Sequence, residues 1–152
     1  MKVSILQENL NKIVAGAARA VASRPQLPVL ANILLKAEKG KLTAVGTDMT
    51  VGAGLFSGGQ IEVEGAITVP AKDFAALVGG LGPGKVEMEA EKGILKIVSG
   101  GLKAKMVGIS AEEFPDIGLA GKQELTVATI NLQEGIEKTL FAVSGDEGRP
   151  IL

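Results

Sequence analysis

The chain has 152 residues, 46% hydrophobic but only 3% aromatic, so a core is available but must be filled mainly by Val, Leu, Ile and Ala around 4 phenylalanines. It contains no cysteine and no histidine, which excludes disulfide scaffolds, Cys/His zinc sites and both Cys-His and Ser-His-Asp catalysis. With 16 basic and 17 acidic residues, no global field draws an anionic partner.

Met1-Lys2-Val3-Ser4-Ile5-Leu6 turns polar at Gln7, too soon for a secretory apolar region. No apolar run reaches the roughly 20 residues needed to span a bilayer, so the expected location is cytoplasmic. Lys2–Leu6 alternates as a short strand. A helix is expected over Glu8–Val21, where Leu10, Ile13, Val14, Ala17 and Val21 fall at helical spacing. Lys12 and Arg19, about two turns apart, share a face away from that stripe, read either as a solvated surface or as a sparse cationic one. Pro25 and Pro28 then forbid helical continuation.

Strands are expected at Asn32–Glu38, at Lys41–Thr47 and, beyond the Asp48-Met49-Thr50 turn, at Val51–Phe56. One strand, Gln60–Val69, leads through Pro70 into a helix over Ala71–Leu81 with Phe74, Leu77, Val78 and Leu81 on its stripe. Strands at Lys85–Ala90, Ile94–Ser99 and Lys103–Ile109 follow. Glu112–Asp116 reads as a closing turn whose Phe114 tucks into the core.

This order repeats. Ala37-Glu38-Lys39-Gly40-Lys41-Leu42-Thr43-Ala44-Val45 and Ala90-Glu91-Lys92-Gly93-Ile94-Leu95-Lys96-Ile97-Val98 share A-E-K-G-x-L-x-x-V at a separation of 53 residues. Each reads as a hairpin turn entering an alternating strand. The helices before them repeat at 64, from Leu10 to Phe74 and from Val14 to Val78. The first unit therefore carries 11 extra residues, the difference between 64 and 53, over Ser23–Leu30. A loop present in only one of two matched units is a candidate for binding. The result is a strand, a helix and three strands, twice over, an α+β domain with helices covering one face of antiparallel sheets.

The pattern then opens a third time. Past a linker at 119–123, Leu125–Ile130 alternates as a strand. Leu132–Ser144 carries Ile136, Leu140 and Val143 at helical spacing, 62 residues after the second helix. A complete domain at 1–118 and an incomplete second one at 124–152 are expected. The hairpin that should cover the third helix does not follow, so its stripe is expected to dock on another copy or on the first domain.

Two suggestive patterns do not carry chemistry. Gly79-Gly80-Leu81-Gly82-Pro83-Gly84-Lys85-Val86 spells a phosphate-loop signature, but Val86 stands where a Mg²⁺-holding hydroxyl belongs. The loop also runs from helix into strand, the reverse of the required order. Glu87, Glu89 and Glu91 alternate along a strand, as on the wet side of an antiparallel sheet. No convergent polar cluster points to an enzyme.

Read together, Arg24-Pro25-Gln26-Leu27-Pro28-Val29-Leu30, Thr47-Asp48, Thr68-Val69-Pro70-Ala71-Lys72 and Ala111-Glu112-Glu113-Phe114-Pro115 resemble the bacterial DNA sliding clamp, the beta subunit of DNA polymerase III. Phe141-Ala142-Val143-Ser144, Asp146-Glu147 and Arg149-Pro150 resemble the start of that family's second domain. The resemblance implies a clamp fold of duplicated β-α-β-β-β units. It also implies a non-catalytic processivity factor without cofactors, a ring around duplex DNA lined by helices. The partners it implies are sequence-independent duplex DNA, the replicative polymerase, the clamp loader and a second copy. Arg24 and Lys72 resemble its DNA contacts; where the family's second domain also touches DNA, this chain has Ile151, nearby Arg149 as the one cation there, and Asp146, which would repel phosphate. Lys103-Ala104-Lys105-Met106 matches the strand where its subunits meet, and Ala104, smaller than the aromatic found there in some members, implies a weaker interface. A closed ring holds DNA by topology, so a few inward cations suffice where an open binder needs many phosphate contacts. The alternative is a stand-alone interaction module of the same fold that does not encircle DNA.

Overall fold

The computed structural model describes residues 1–23, 25–118 and 126–143, and divides into two compact units, Met1–Leu119 and Ala120–Leu152. The first unit opens with β1 (Lys2–Leu6) and α1 (Gln7–Ala18), then a 3₁₀ turn at Pro28–Ala31. A meander follows: β2 (Asn32–Glu38), β3 (Lys41–Thr47) and β4 (Gly52–Gly58). Next come β5 (Gln60–Val63), β6 (Gly65–Pro70) and α2 (Ala71–Gly80). A second meander closes the unit: β7 (Lys85–Glu91), β8 (Ile94–Ser99) and β9 (Leu102–Val107). The second unit contributes α3 (Thr129–Leu140).

Both A-E-K-G motifs form two-residue hairpin turns. Lys39 and Gly40 have φ of 49° and 73°, and Lys92 and Gly93 have 52° and 76°. Positive φ at both positions is the type I′ geometry, whose twist matches that of the strands it joins. The turns set the register, so that Glu38 faces Lys41 and Glu91 faces Ile94.

The two repeats exchange their first strands. β1 pairs with β7, giving a five-stranded sheet ordered β5-β1-β7-β8-β9. β6 pairs with β2, giving a four-stranded sheet ordered β4-β3-β2-β6. All of these pairings are antiparallel, and each sheet is built from both halves of the chain.

The expected single strand Gln60–Val69 is in fact two. β5 lies against β1 and β6 lies against β2, and the chain crosses between sheets at Gly65, whose φ is 151°. Alternation continues through the break, so only the glycine marks it. The symmetry extends past the meanders. Gly59 N–H donates to the Gly40 carbonyl (3.2 Å) and Gly108 N–H to that of Gly93 (2.8 Å). The chain then meets a leading strand, with Gln60 opposite Ser4 and Ile109 opposite Thr68. Ser4 and Thr68, 64 residues apart, are the matching buried hydroxyl residues. Thr68 Oγ1 accepts from Asn32 Nδ2 (3.0 Å) and donates to the Ile109 carbonyl (3.0 Å).

The main core joins Leu10, Val14 and Ala17 of α1, and Phe74 and Val78 of α2, to inward residues of both sheets such as Ile33, Leu35, Leu42, Met88, Leu95 and Ile97. Apart from Ala17, each such side chain contributes about 1.5–3 kcal/mol by leaving water. Gln7 Nε2 donates to the Val78 carbonyl (2.9 Å), seating the first turn of α1 against the last turn of α2. Phe114 is buried as expected, but in a second cluster with Val29, Leu30 and Val45.

The third repeat departs from its expected form. Thr126–Ala128 has no regular structure, and Thr129 and Ile130 already belong to α3, so a strand over Leu125–Ile130 is not formed among the described residues. The stripe of α3 is uncovered: Ile136 is 51% and Leu140 63% exposed, where their counterparts Leu10, Phe74, Val14 and Val78 are at 0%.

Candidate nucleic-acid interface

The exposed positions of the helix layer are few and are either charged or small. On α1 and its C-terminal cap they are Glu8, Lys12, Ala15 and Arg19; on α2 they are Lys72, Asp73, Ala76, Gly79 and Gly80. Each falls opposite a buried stripe residue, as the helical period requires. Among the described residues, no carboxylate lies within 4.0 Å of the charged atoms of Lys12, Arg19 or Lys72. Lys72 is the second residue of α2, whose N-cap Pro70 supplies no side-chain bond to the first turn. The free N–H groups there and the ammonium beside them both favour an anion, with Asp73 opposing them.

The exposed face of the five-stranded sheet is built differently. Lys2 meets Glu62 (2.6 Å), Lys85 meets Glu87 (2.7 Å) and Lys96 meets Glu89 (3.3 Å). The hydrogen bond to Glu62 raises the Lys2 pKa, and that from Lys85 lowers the Glu87 pKa. These pairs are solvated and stabilise little, but they offset the charge of Lys2, Lys85 and Lys96 on that face. The three alternating glutamates are thus the wet side of a sheet, as their spacing suggested.

Lys103, Ala104, Lys105 and Met106 lie on β9, which pairs only with β8 among the described residues and so presents a free edge. Lys103 and Lys105 are exposed, while Ala104 and Met106 turn inward onto the core. Neither lysine has a carboxylate within 4.0 Å among the described residues, and Val107 beside them is 75% exposed. A free edge with unpaired backbone groups is a template for another strand. Sequence reading did not single out the corresponding edge of the other sheet, β4. There Phe56 is exposed and Lys41 Nζ sits 4.7 Å from its ring centroid. The alternating glycines of Gly52-Ala53-Gly54 were the available signal.

Of the expected DNA contacts, Lys72 is exposed on the helix layer, whereas Arg24 and Arg149 lie outside the described residues. The glycine-rich loop lines a cavity of about 510 Å³ with Ser99–Leu102. Its Lys85 is engaged by Glu87, and the Gly84 carbonyl accepts from Gln7 N–H (2.8 Å). The loop is a connection between α2 and β7.

Comparison with known proteins bears on the family and the fold. The family profile of the DNA polymerase III beta subunit, N-terminal domain, matches residues 1–118. The beta sliding clamp of Synechococcus elongatus is 40% identical over 156 aligned residues, spanning all of this chain and 42% of that protein. That of Bacillus subtilis is 30% identical, again over all of this chain and 43% of its own length. Among solved structures, pol III beta of Caulobacter crescentus superposes with a TM-score of 0.89 at 32% identity, covering 97% of this chain and 40% of that one. The Bacillus subtilis sliding clamp superposes with a TM-score of 0.89 at 29% identity, covering 99% and 42%. The chain thus spans less than half the length of these relatives.

Proposed function

Because the chain belongs to the DNA polymerase III beta subunit family, matching its N-terminal domain over residues 1–118, we propose that it acts as the first part of a replication sliding clamp. Its work is non-catalytic and cytoplasmic: completed by further domains of the family, it encircles duplex DNA and tethers the replicative polymerase after a clamp loader has placed it. Residues 1–118 form one complete domain, 119–123 a connector, and 124–152 the opening of a second.

The observation that carries this reading is the contrast between faces. Lys12, Arg19 and Lys72 on the helix layer have no carboxylate within 4.0 Å among the described residues, although Glu8 and Asp73 share that layer. On the five-stranded sheet Lys2, Lys85 and Lys96 are paired, and the bare lysines, Lys103 and Lys105, sit on the edge strand β9. Such a layer attracts phosphate weakly and without regard to sequence, which suits sliding; reading base edges needs side chains that reach into a groove. Lys72, with Arg24 and Arg149, supplies the phosphate contacts. The β9 edge, through Lys103, Ala104, Lys105 and Met106, receives a strand of another subunit, and the bare lysines favour acidic residues on that strand.

Without a closed ring the 152-residue chain holds duplex DNA only by these contacts, with a dissociation constant of roughly 10⁻⁴ M or weaker at physiological salt. Titration at low salt should show tighter binding. Replacing Arg24 and Lys72 together by Ala should weaken it and lower the salt slope by about one phosphate contact each. Binding unchanged by the double substitution, or sub-micromolar affinity at physiological salt, would overturn the assignment.

A further inference from the structure

We propose that Phe114 is a positioning residue for the loop at 25–31, so that the segment leaving the first unit holds in place the loop that the second repeat lacks. This rests on the reading that the loop faces DNA. Between α1 and β2 the described residues join neither sheet. Its backbone bonds there are short-range, such as Leu30 N–H to the Leu27 carbonyl at 3.0 Å. Val29 and Leu30 stay out of the main core and form a separate buried cluster with Val45 and Phe114, edged by Ala22, Leu34, Ile109 and Ile117.

Phe114 belongs to a segment that is equally short of ladder bonds. Its N–H donates to the Ala111 carbonyl (3.2 Å), and Gly118 N–H donates to Asp116 Oδ1 (3.1 Å). Ile117 packs on Gly52, where an added Cβ would lie 2.6 Å from Ile117 Cδ1. Two segments without ladders of their own therefore share one small core. An open groove beside it is lined by residues including Leu34, Val45, Phe114 and Ile117. The 11 extra residues of the first unit, the difference between repeats of 64 and 53, explain why this core has no counterpart in the second. Removing the ring takes away the wall against which Val29 and Leu30 rest and leaves the helices untouched. The loop then opens locally, without global unfolding.

Amide hydrogen exchange on the 152-residue chain tests this. Phe114→Ala should speed exchange at Leu30 and Asn32, whose N–H groups donate to the Leu27 and Val29 carbonyls, by about tenfold or more while the amides of α1 and β7 keep their rates. Phe114→Leu should restore most of the protection. Leu95→Ala, a main-core control, should lower the unfolding midpoint without singling out the loop. If Phe114→Ala fails to fold, Val29→Ala must produce the same local effect. Loop exchange unchanged, or raised only in step with every strand, overturns the proposal. A low-salt duplex titration separates it from the DNA reading. Arg24→Ala should weaken binding in the parent chain but add little in the Phe114→Ala background. Equal weakening in both refutes positioning. No weakening in either, with the exchange result intact, refutes the DNA role of the loop and leaves the anchoring in place.

Discussion

Gly46 marks the closest approach of α1 to β3. A Cβ built there would lie 2.2 Å from the Ala17 carbonyl oxygen and 2.9 Å from Val21 Cγ2. A backbone oxygen cannot swing aside, so Gly46→Ala must push α1 off the sheet. The expected cost is about 1–3 kcal/mol, seen as a lower denaturation midpoint with the fold retained. A neutral result would mean that the helix sits farther out than described. At the next turn, the Asp48 carboxylate accepts N–H bonds from Val51 (2.7 Å) and Thr50 (2.8 Å), and these hold its pKa below the ordinary 3.8. Thr47 Oγ1 completes the turn by accepting from Met49 N–H (2.9 Å) and donating to the Val51 carbonyl (2.8 Å), which holds Met49 at a φ of 75°. Because the folded pKa is depressed, this contribution is complete above 3.8 and fades as pH falls through the folded value. An NMR titration of the Asp48 carboxyl carbon should give a midpoint below 3.8. A midpoint at or above the ordinary value would mean that the two N–H bonds are not populated.

The hairpin turns are the elements on which the repeat is most legible, and they carry a small local strain. Lys39 and Lys92 occupy left-handed positions that a lysine adopts at some cost, where Asn-Gly is the favoured pair. Lys92 is exposed, and its 4.0 Å approach to Glu91 contributes little. Lys92→Asn should therefore stabilise the first unit by about 0.5–1 kcal/mol, read as a higher urea midpoint at constant slope. A loss of stability would mean that the turn is not type I′. The edge strands were less legible. Lys103-Ala104-Lys105-Met106 reads as a strand from its alternation, but whether it lies inside a sheet or at a free edge depends on what arrives beside it. The same limit let Gln60–Val69 read as one strand, since its alternation continues across Gly65.

At the scale of the whole chain, the uncovered stripe of α3 has a direct consequence. Ile136 and Leu140, with Leu132 and Val143 beside them, leave apolar surface in water that burial would stabilise by about 1.5–3 kcal/mol per side chain. The 152-residue chain should self-associate as its concentration rises, in sedimentation equilibrium. A version ending at Gly118 should stay monomeric with the first unit's unfolding midpoint unchanged. Two monomers would rule out association through α3, and a collapsed midpoint would contradict a complete domain at 1–118.

The sequence by itself determined the two helices and the two meanders of the first unit and their order, because the 3.6 and 2.0 periods belong to the backbone and show in any window of side chains. It also determined the duplication, the hairpin turns and the extra loop, all of which are spacings along one chain; that the turns are type I′ came from the φ of Lys39 and Lys92. Tertiary structure alone decided that the repeats exchange their first strands. β1 and β6 present the same apolar alternation, so nothing local says which meander each will join. It alone decided that Phe114 leaves the main core to meet Val29 and Leu30, because volume around a distant loop sets that partner. The pairing of Lys2, Lys85 and Lys96, and the lack of a carboxylate within 4.0 Å of Lys12, Arg19 and Lys72 among the described residues, were settled in the same way. A charge is neutralised by what folding brings within a few ångströms, and sequence distance does not measure that.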